Sequence, residues 1–314
     1  MAELATARHR SSASSASRRL IGRWVAETAT AWSLAGPAVA LMWLLLLGPA
    51  AAVVLLSFTD WSFGQPTMSW IGLGNFREMV ADQLFRTSFL NTLVYVAFTM
   101  PLSVLLGLGA ALLIESGTSG RGFYRTVFFL PVTATLLPMA FVFQFAYFHP
   151  TVGIINQTLS AFGLPTRDWL RDPDTALLAL GVIGIWQSVG LNMVLFLAGL
   201  KGIPKDLYDA AALDGADGAW ERFRRVTWPM LGPATLFVLT VTAIKSFQVF
   251  DTVIALTQGG PGNATNVLLF QMYQEGFSFL RSAYASALTC VFLLFVLVLT
   301  LLQVVLVDRK THYG

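Results

Sequence analysis

Six runs of apolar residues, each long enough to cross a bilayer, constrain this chain more than any other feature: 34–58, 89–114, 127–148, 175–200, 234–256 and 284–307. Crossing a hydrocarbon core about 30 Å thick takes roughly 20 helical residues. Lipid satisfies no backbone hydrogen bond, so a run of this length must be a helix. The expected fold class is an all-α membrane protein, a bundle of six transmembrane helices over residues 34–314. Composition agrees: 55% of the 314 residues are hydrophobic and 12% are charged, about half the charged share of a soluble domain. Pro101, Pro131 and Pro138 lie inside the runs and predict kinks. No internal repeat is visible, so an inverted-repeat secondary transporter gains no support.

The placement of positive charge sets the expected orientation. With the N-terminus inside, fourteen Lys and Arg residues fall on the inner side, five on the outer side, and Lys245 within a span. That bias predicts a multi-pass protein with both termini cytoplasmic. Residues 1–33 hold Arg8, Arg10, Arg18, Arg19 and Arg23 among Ser and Ala. They read as a disordered, basic cytoplasmic tail rather than a secretory signal, a transit peptide being the alternative. Trp61, Trp70 and Trp169 lie near outer span ends, where aromatic belts form. The formal charge of +3 gives no basis for a nucleic-acid partner; membrane lipid is the expected surrounding. The single cysteine, Cys290, excludes a disulfide within the chain.

The most polar segment is the expected cytoplasmic loop 201–233. Pro204 followed by Asp206 makes a helix start, the acid meeting the positive end of the dipole. Leu207 to Leu213 is Ala-rich and predicts a short helix,. Gly215 and Gly218 interrupt it, and Ala219 to Thr227 can form a second helix, with Trp220, Phe223 and Val226 at three-residue spacing,. Taken alone, the segment could be a solvated loop joining two spans. As a whole it carries Asp209-Ala210-Ala211, then Asp214-Gly215-Ala216, then Trp228-Pro229. This pattern resembles the EAA loop of ABC-importer permeases, the element that docks onto ATPase subunits. Asp209 stands where the family usually has Glu, and Trp228 where it usually has Leu. Trp70-Ile-Gly-Leu-Gly-Asn-Phe76, Thr257-Gln-Gly-Gly-Pro-Gly-Asn-Ala-Thr265 and the terminal His312-Tyr313 also resemble carbohydrate-type permeases of this superfamily, in particular the maltose-type first subunit.

The resemblance implies a type I importer permease, and with it a set of partners. These are a second permease subunit forming a heterodimer, an ATPase subunit dimer, and an extracytoplasmic solute-binding protein, in a bacterial plasma (inner) membrane. It implies that ATPase docking involves Asp209, Ala210, Ala211, Asp214, Gly215, Ala216, Phe223 and Pro229. The chain has no Gly-x-x-x-x-Gly-Lys-Ser/Thr phosphate loop, so no cofactor is expected on it, and ATP and Mg are expected on the partner ATPase. No catalytic constellation is nominated, and His9, His149 and His312 fall in three separate regions; the chain is expected to be a transport subunit rather than an enzyme, with no metal site.

Polar groups inside spans are costly and face a cavity or another helix. Span four holds Gln187, Ser188 and Asn192; span five holds Thr242, Lys245, Ser246, Gln248 and Asp251. On a continuous helix Thr242, Lys245, Ser246 and Val249 share a face, as do Gln187, Ser188 and Leu191. Lys245 and Asp251 are then about 240° apart. Hydrogen bonding between helices, worth about 0.6 kcal/mol on average, explains such groups without a function. The resemblance adds that these stretches match sugar-contacting ones of the maltose-type permease, with Ser246 and Val249 where Asn is usual. The expected passage residues are Gln187, Ser188, Leu191, Asn192, Thr242, Lys245, Ser246 and Gln248. The expected cargo is a sugar or oligosaccharide, with a glycerol phosphate as the alternative and an ion-coupled secondary transporter as a further one.

Overall fold

A computed structural model describes residues 28, 30–117, 119–216 and 218–308. Most of the expected tail (1–27 and 29) and Arg309, Lys310, His312 and Tyr313 lie outside the described residues. The described chain is helical except for loops and one isolated antiparallel bridge, Thr59 to Trp70. It falls into two compact units that divide after Leu56.

The first unit contains one apolar helix, α1 (Thr30–Leu56), with a mean hydropathy of 2.5 and no residue buried among those described. A helix apolar on every side belongs in lipid or against another subunit. Pro49 cannot donate to the helical ladder, and a π turn, Trp43–Leu47, precedes it,.

The second unit is built around two long helices, α3 (Gln83–Ser116) and α7 (Pro173–Lys201), packed along each other. Before them lies α2 (Gly74–Ala81). At 34 residues α3 continues unbroken past Pro101 and is about 50 Å long, more than a hydrocarbon core requires. Both helices are capped by acids: Asp82 accepts from the Leu84 amide at 2.8 Å, and Asp172 from the Asp174 amide at 3.0 Å,. Along α7, Gly190 permits a close approach. A Cβ there would lie 2.0 Å from the Phe128 carbonyl oxygen, so the backbones meet with no side chain between them.

Two expected spans prove to be interrupted. The run 127–148 is not one kinked helix but α4 (Arg121–Thr133) and α5 (Leu136–Tyr147), bent by 102°. Ala134 and Thr135 are extended between them. The ring of Pro138 would clash with the Ala134 carbonyl in a continuous helix. In the first turn of a new helix its missing N–H costs nothing. The run 234–256 is likewise α10 (Gly232–Phe247) and α11 (Asp251–Leu256), separated at 248–250. No Gly or Pro marks that break. Val249 is buried in a cluster with Phe143, Ile183, Val253 and Phe270, and Phe250 packs against it, so tertiary packing sets the chain direction there. The last span is α13 (Ser282–Asp308).

The end of the bundle opposite 201–233 is fastened by polar side chains. Asn75, buried, donates to the Ser57 and Thr59 carbonyls at 2.9 and 2.8 Å. Asn91 donates to the Asn263 and Asn266 carbonyls, both at 2.9 Å, and the Leu268 amide donates to Thr92 Oγ1 at 2.9 Å. The Gly-Gly-Pro loop is thereby held on α3, and helix α12 (Leu268–Tyr273) follows it. Asp82 also accepts from Tyr284 Oη (2.8 Å) and Gln271 Nε2 (3.2 Å). Arg281 bridges Glu78 and Glu275. Burial pushes the Glu275 carboxyl up, and the Arg281 charge opposes that rise,.

Gly190→Leu should place its side chain against the Phe128 carbonyl and force α4 from α7. Overpacking of this kind costs about 1–3 kcal/mol. A thermal melt in detergent is expected to show a clear loss relative to Gly109→Leu, where a Cβ meets nothing within 4 Å.

Candidate functional site

Two places carry the polar residues that the sequence singled out. The first is the segment 201–233. Helix α8 (Lys205–Leu213) starts at Pro204 with Asp206 in its first turn. It ends in a Schellman cap: the Ala216 amide donates to the Ala211 carbonyl at 2.8 Å and the Gly215 amide to Ala212 at 3.1 Å,. This cap requires Gly215 at φ +83°, a conformation that costs a non-Gly residue about 1–2 kcal/mol. Asp214-Gly215-Ala216 is therefore a helix stop. Ala216 is fully buried behind it, and Arg222 Nε donates to its carbonyl at 3.1 Å.

Residues 219–230 form the next helix, α9, which contains a π turn at Phe223–Thr227. The cause is Pro229. Its nitrogen carries no proton and its ring crowds the Arg225 carbonyl, so the turn widens and the Trp228 amide donates to Phe223 instead,. The Tyr208 and Thr227 hydroxyls lie 3.0 Å apart and join α8 to α9. Ala211, Phe223, Ile203 and Val226 pack with Ile114, Phe196, Leu200 and Leu231, which seats the segment on the ends of α3 and α7. The outward face is apolar: Leu213 is 91% exposed and Trp220 70%, with Trp228 also exposed. Trp220 stacks on Phe223 at 5.7 Å but, unlike Val226, does not enter the core. Asp209, Ala210, Asp214 and Pro229 are exposed beside these residues.

The second place is a cleft of about 230 Å³ at the break between α10 and α11. Gln187, Ser188, Lys245, Ser246 and Gln248 all line it. Asp251 lines it as well. The continuous-helix geometry, which set Lys245 and Asp251 about 240° apart, does not hold once the helix breaks at 248–250. Among the described residues no ion pair or hydrogen bond engages the Lys245 ammonium within the structure. Leu191, Asn192 and Thr242 are not in the lining. Thr242 is 2% exposed and donates to Asn192 Oδ1 at 2.8 Å, tying α10 to α7. The reading from sequence missed Tyr95, Leu136, Gly184, Phe250 and Thr252, which with Val249 complete the wall. Tyr95 was findable as a polar aromatic inside the second apolar run; Leu136 and Phe250 reach the cleft only because two helices break.

The model of the family "binding-protein-dependent transport system inner membrane component" matches residues 103–312. The chain belongs to this family. It is a multi-pass membrane component of a binding-protein-dependent transport system. A probable ABC transporter permease of Bacillus subtilis, YurN, is 37% identical over 80% of this chain and 86% of its own length. The sn-glycerol-3-phosphate transport permease UgpA of Agrobacterium fabrum is 32% identical over 90% and 95%. A chain in the crystal structure of a bacterial ABC transporter involved in the import of the acidic polysaccharide alginate superposes with a TM-score of 0.78 at 22% identity. The match covers 93% of this chain and 99% of that one. The fold is the type I importer permease fold, and family membership removes the ion-coupled secondary transporter.

Thr242→Val should leave Asn192 buried without its partner. The expected result is a loss of about 1 kcal/mol in stability, read as a lower melting temperature in detergent. Solute uptake per folded molecule should stay unchanged; a selective fall in solute affinity would instead put Thr242 in contact with cargo.

Proposed function

We propose that this chain is the permease subunit of an ATP-driven bacterial importer for a sugar or oligosaccharide. It pairs with a second, related permease, an ATPase dimer that holds ATP and Mg, and an extracytoplasmic solute-binding protein. The observation that carries the reading is the capped segment 201–230, which presents Leu213 and Trp220 to solvent from a rigid seat. Exposed apolar side chains on a well-packed, polar-rimmed element mark a protein interface. The ATPase is the partner this surface suits, because the chain lacks a phosphate loop and must receive its energy from outside. With 201–233 on the cytoplasmic side, both termini are cytoplasmic.

In this reading ATP binding closes the ATPase dimer and pulls on α8 and α9. The pull reaches α3 and α7 through the shared cluster around Phe196 and Leu231. The cleft at the α10–α11 break lies along the passage, with Gln187, Ser188, Ser246 and Gln248 offering hydrogen bonds to hydroxyl groups. Binding sites of discontinuous membrane helices use this device, since unwound backbone is tolerated where it lines a cavity. The glycerol-phosphate relative keeps a phosphorylated cargo as the second reading, which Lys245 favours.

A pull-down of tagged chain from its native membrane in mild detergent, followed by mass spectrometry, should recover an ATPase, a second permease and a solute-binding protein. Gly215→Ala, which keeps the space but not the φ, should weaken ATPase recovery by roughly tenfold, and Asp209→Lys should weaken it too. Normal recovery with Gly215→Pro and Asp209→Lys together would remove the docking role. Unchanged uptake in Ser246→Trp would remove the cleft from the passage.

A further inference from the structure

We infer that Lys245 makes this subunit selective for an acidic saccharide, a sugar carrying a carboxylate, phosphate or sulfonate group. The inference rests on the reading of the α10–α11 cleft as the solute passage.

Three titratable side chains line that cleft: Tyr95, Lys245 and Asp251. Tyr95 is buried, Lys245 half-buried, and Asp251 exposed at the start of α11. A lysine within a membrane-spanning helix is expensive and is ordinarily paired. Here the described residues supply no carboxylate within 4.0 Å of it and no hydrogen bond. Asp251, the acid in the same lining, forms no ion pair with it. The other polar lining groups are two carboxamides, Gln187 and Gln248, and three hydroxyls, Ser188, Ser246 and Thr252. These are neutral donors and acceptors that match sugar hydroxyls, and none of them neutralises an ammonium. A carboxylate can bind vicinal hydroxyls, and the exposed Asp251 suits the neutral end of a cargo. The lining therefore holds an unpaired cation, neutral hydrogen-bonding groups and one exposed acid. A saccharide with one acidic group complements that set, and a neutral saccharide leaves the ammonium without a counter-charge.

The test uses the assembled transporter in nanodiscs without its solute-binding protein, so that selectivity belongs to the permeases. Binding of glucuronate, glucose 6-phosphate and glucose is measured by isothermal titration. Wild type should bind one or both acids more tightly than glucose, the better acid telling a carboxylate site from a phosphate site. Lys245→Met should lose about tenfold to a hundredfold of that preference, as expected for a charge-assisted contact. Lys245→Arg should retain it. An equal response to acids and glucose in wild type, no binding of any probe, or a preference that survives Lys245→Met would each overturn the inference. So would dissociation of the two permeases in Lys245→Met with recovery in Lys245→Arg, which would make Lys245 an interface ion-pair partner. Ser246→Trp separates the two claims. If it abolishes binding of all three probes while Lys245→Met leaves the acid preference intact, the passage stands and the role of Lys245 falls. If Ser246→Trp changes nothing, the cleft reading itself falls.

Discussion

Hydrocarbon offers a peptide group no hydrogen bond, and the architecture of this chain follows from that deficit. Long helices satisfy their own backbone, so α3 and α7 can run the depth of a bilayer with few polar side chains. Where the backbone leaves the helix, at 134–135 and 248–250, the freed groups must lie against protein or a water-filled space. The break at 248–250 borders the cleft, and Leu136, just past the other break, lines it too. Irregular backbone and polar lining therefore occur together, and the same interruptions that would be intolerable facing lipid border a polar-lined cleft within the helix bundle.

The segment 201–233 meets a different requirement. In the docking role proposed above it must be rigid, because an element that flexes transmits no load, yet it must keep apolar side chains free for a partner. The Schellman cap at Gly215 and the π turn before Pro229 serve the first need. They fix the ends of α8 and the course of α9 while Ala211, Phe223 and Val226 anchor both to α3 and α7. The Tyr208–Thr227 contact closes the angle between them. The family pattern of Asp-Gly-Ala and an apolar–Pro pair is thus a description of two backbone devices, a helix stop and a widened turn. In the docking role proposed above, the contact falls to the side chains those devices leave outside, Leu213 and Trp220 foremost.

Much was legible in the sequence because membrane physics leaves few choices. Apolar length identified the spans, and Pro204 and Gly215 marked the two ends of α8 through their restricted backbone chemistry. Gln187, Ser188, Lys245, Ser246 and Gln248 stood out because polar groups in apolar runs are rare, and the fold brings all five to one cleft. Thr242 and Asn192 stood out for the same reason but are spent on each other, a distinction that depends on which face of α10 meets α7 and not on polarity.

Local chemistry alone makes this chain a bundle of membrane helices with a capped polar segment between its fourth and fifth apolar runs, since length, proline and glycine act locally. That two of the runs are broken, that Tyr95, Leu136 and Phe250 share a cleft with Lys245, and that Lys245 and Asp251 line it together came from the folded chain. Those facts arise from packing between residues far apart in the chain. Phe143, Ile183, Val249 and Phe270 bury one another, and the backbone at 248–250 gives way to let them do so, a compromise that no single stretch of sequence encodes.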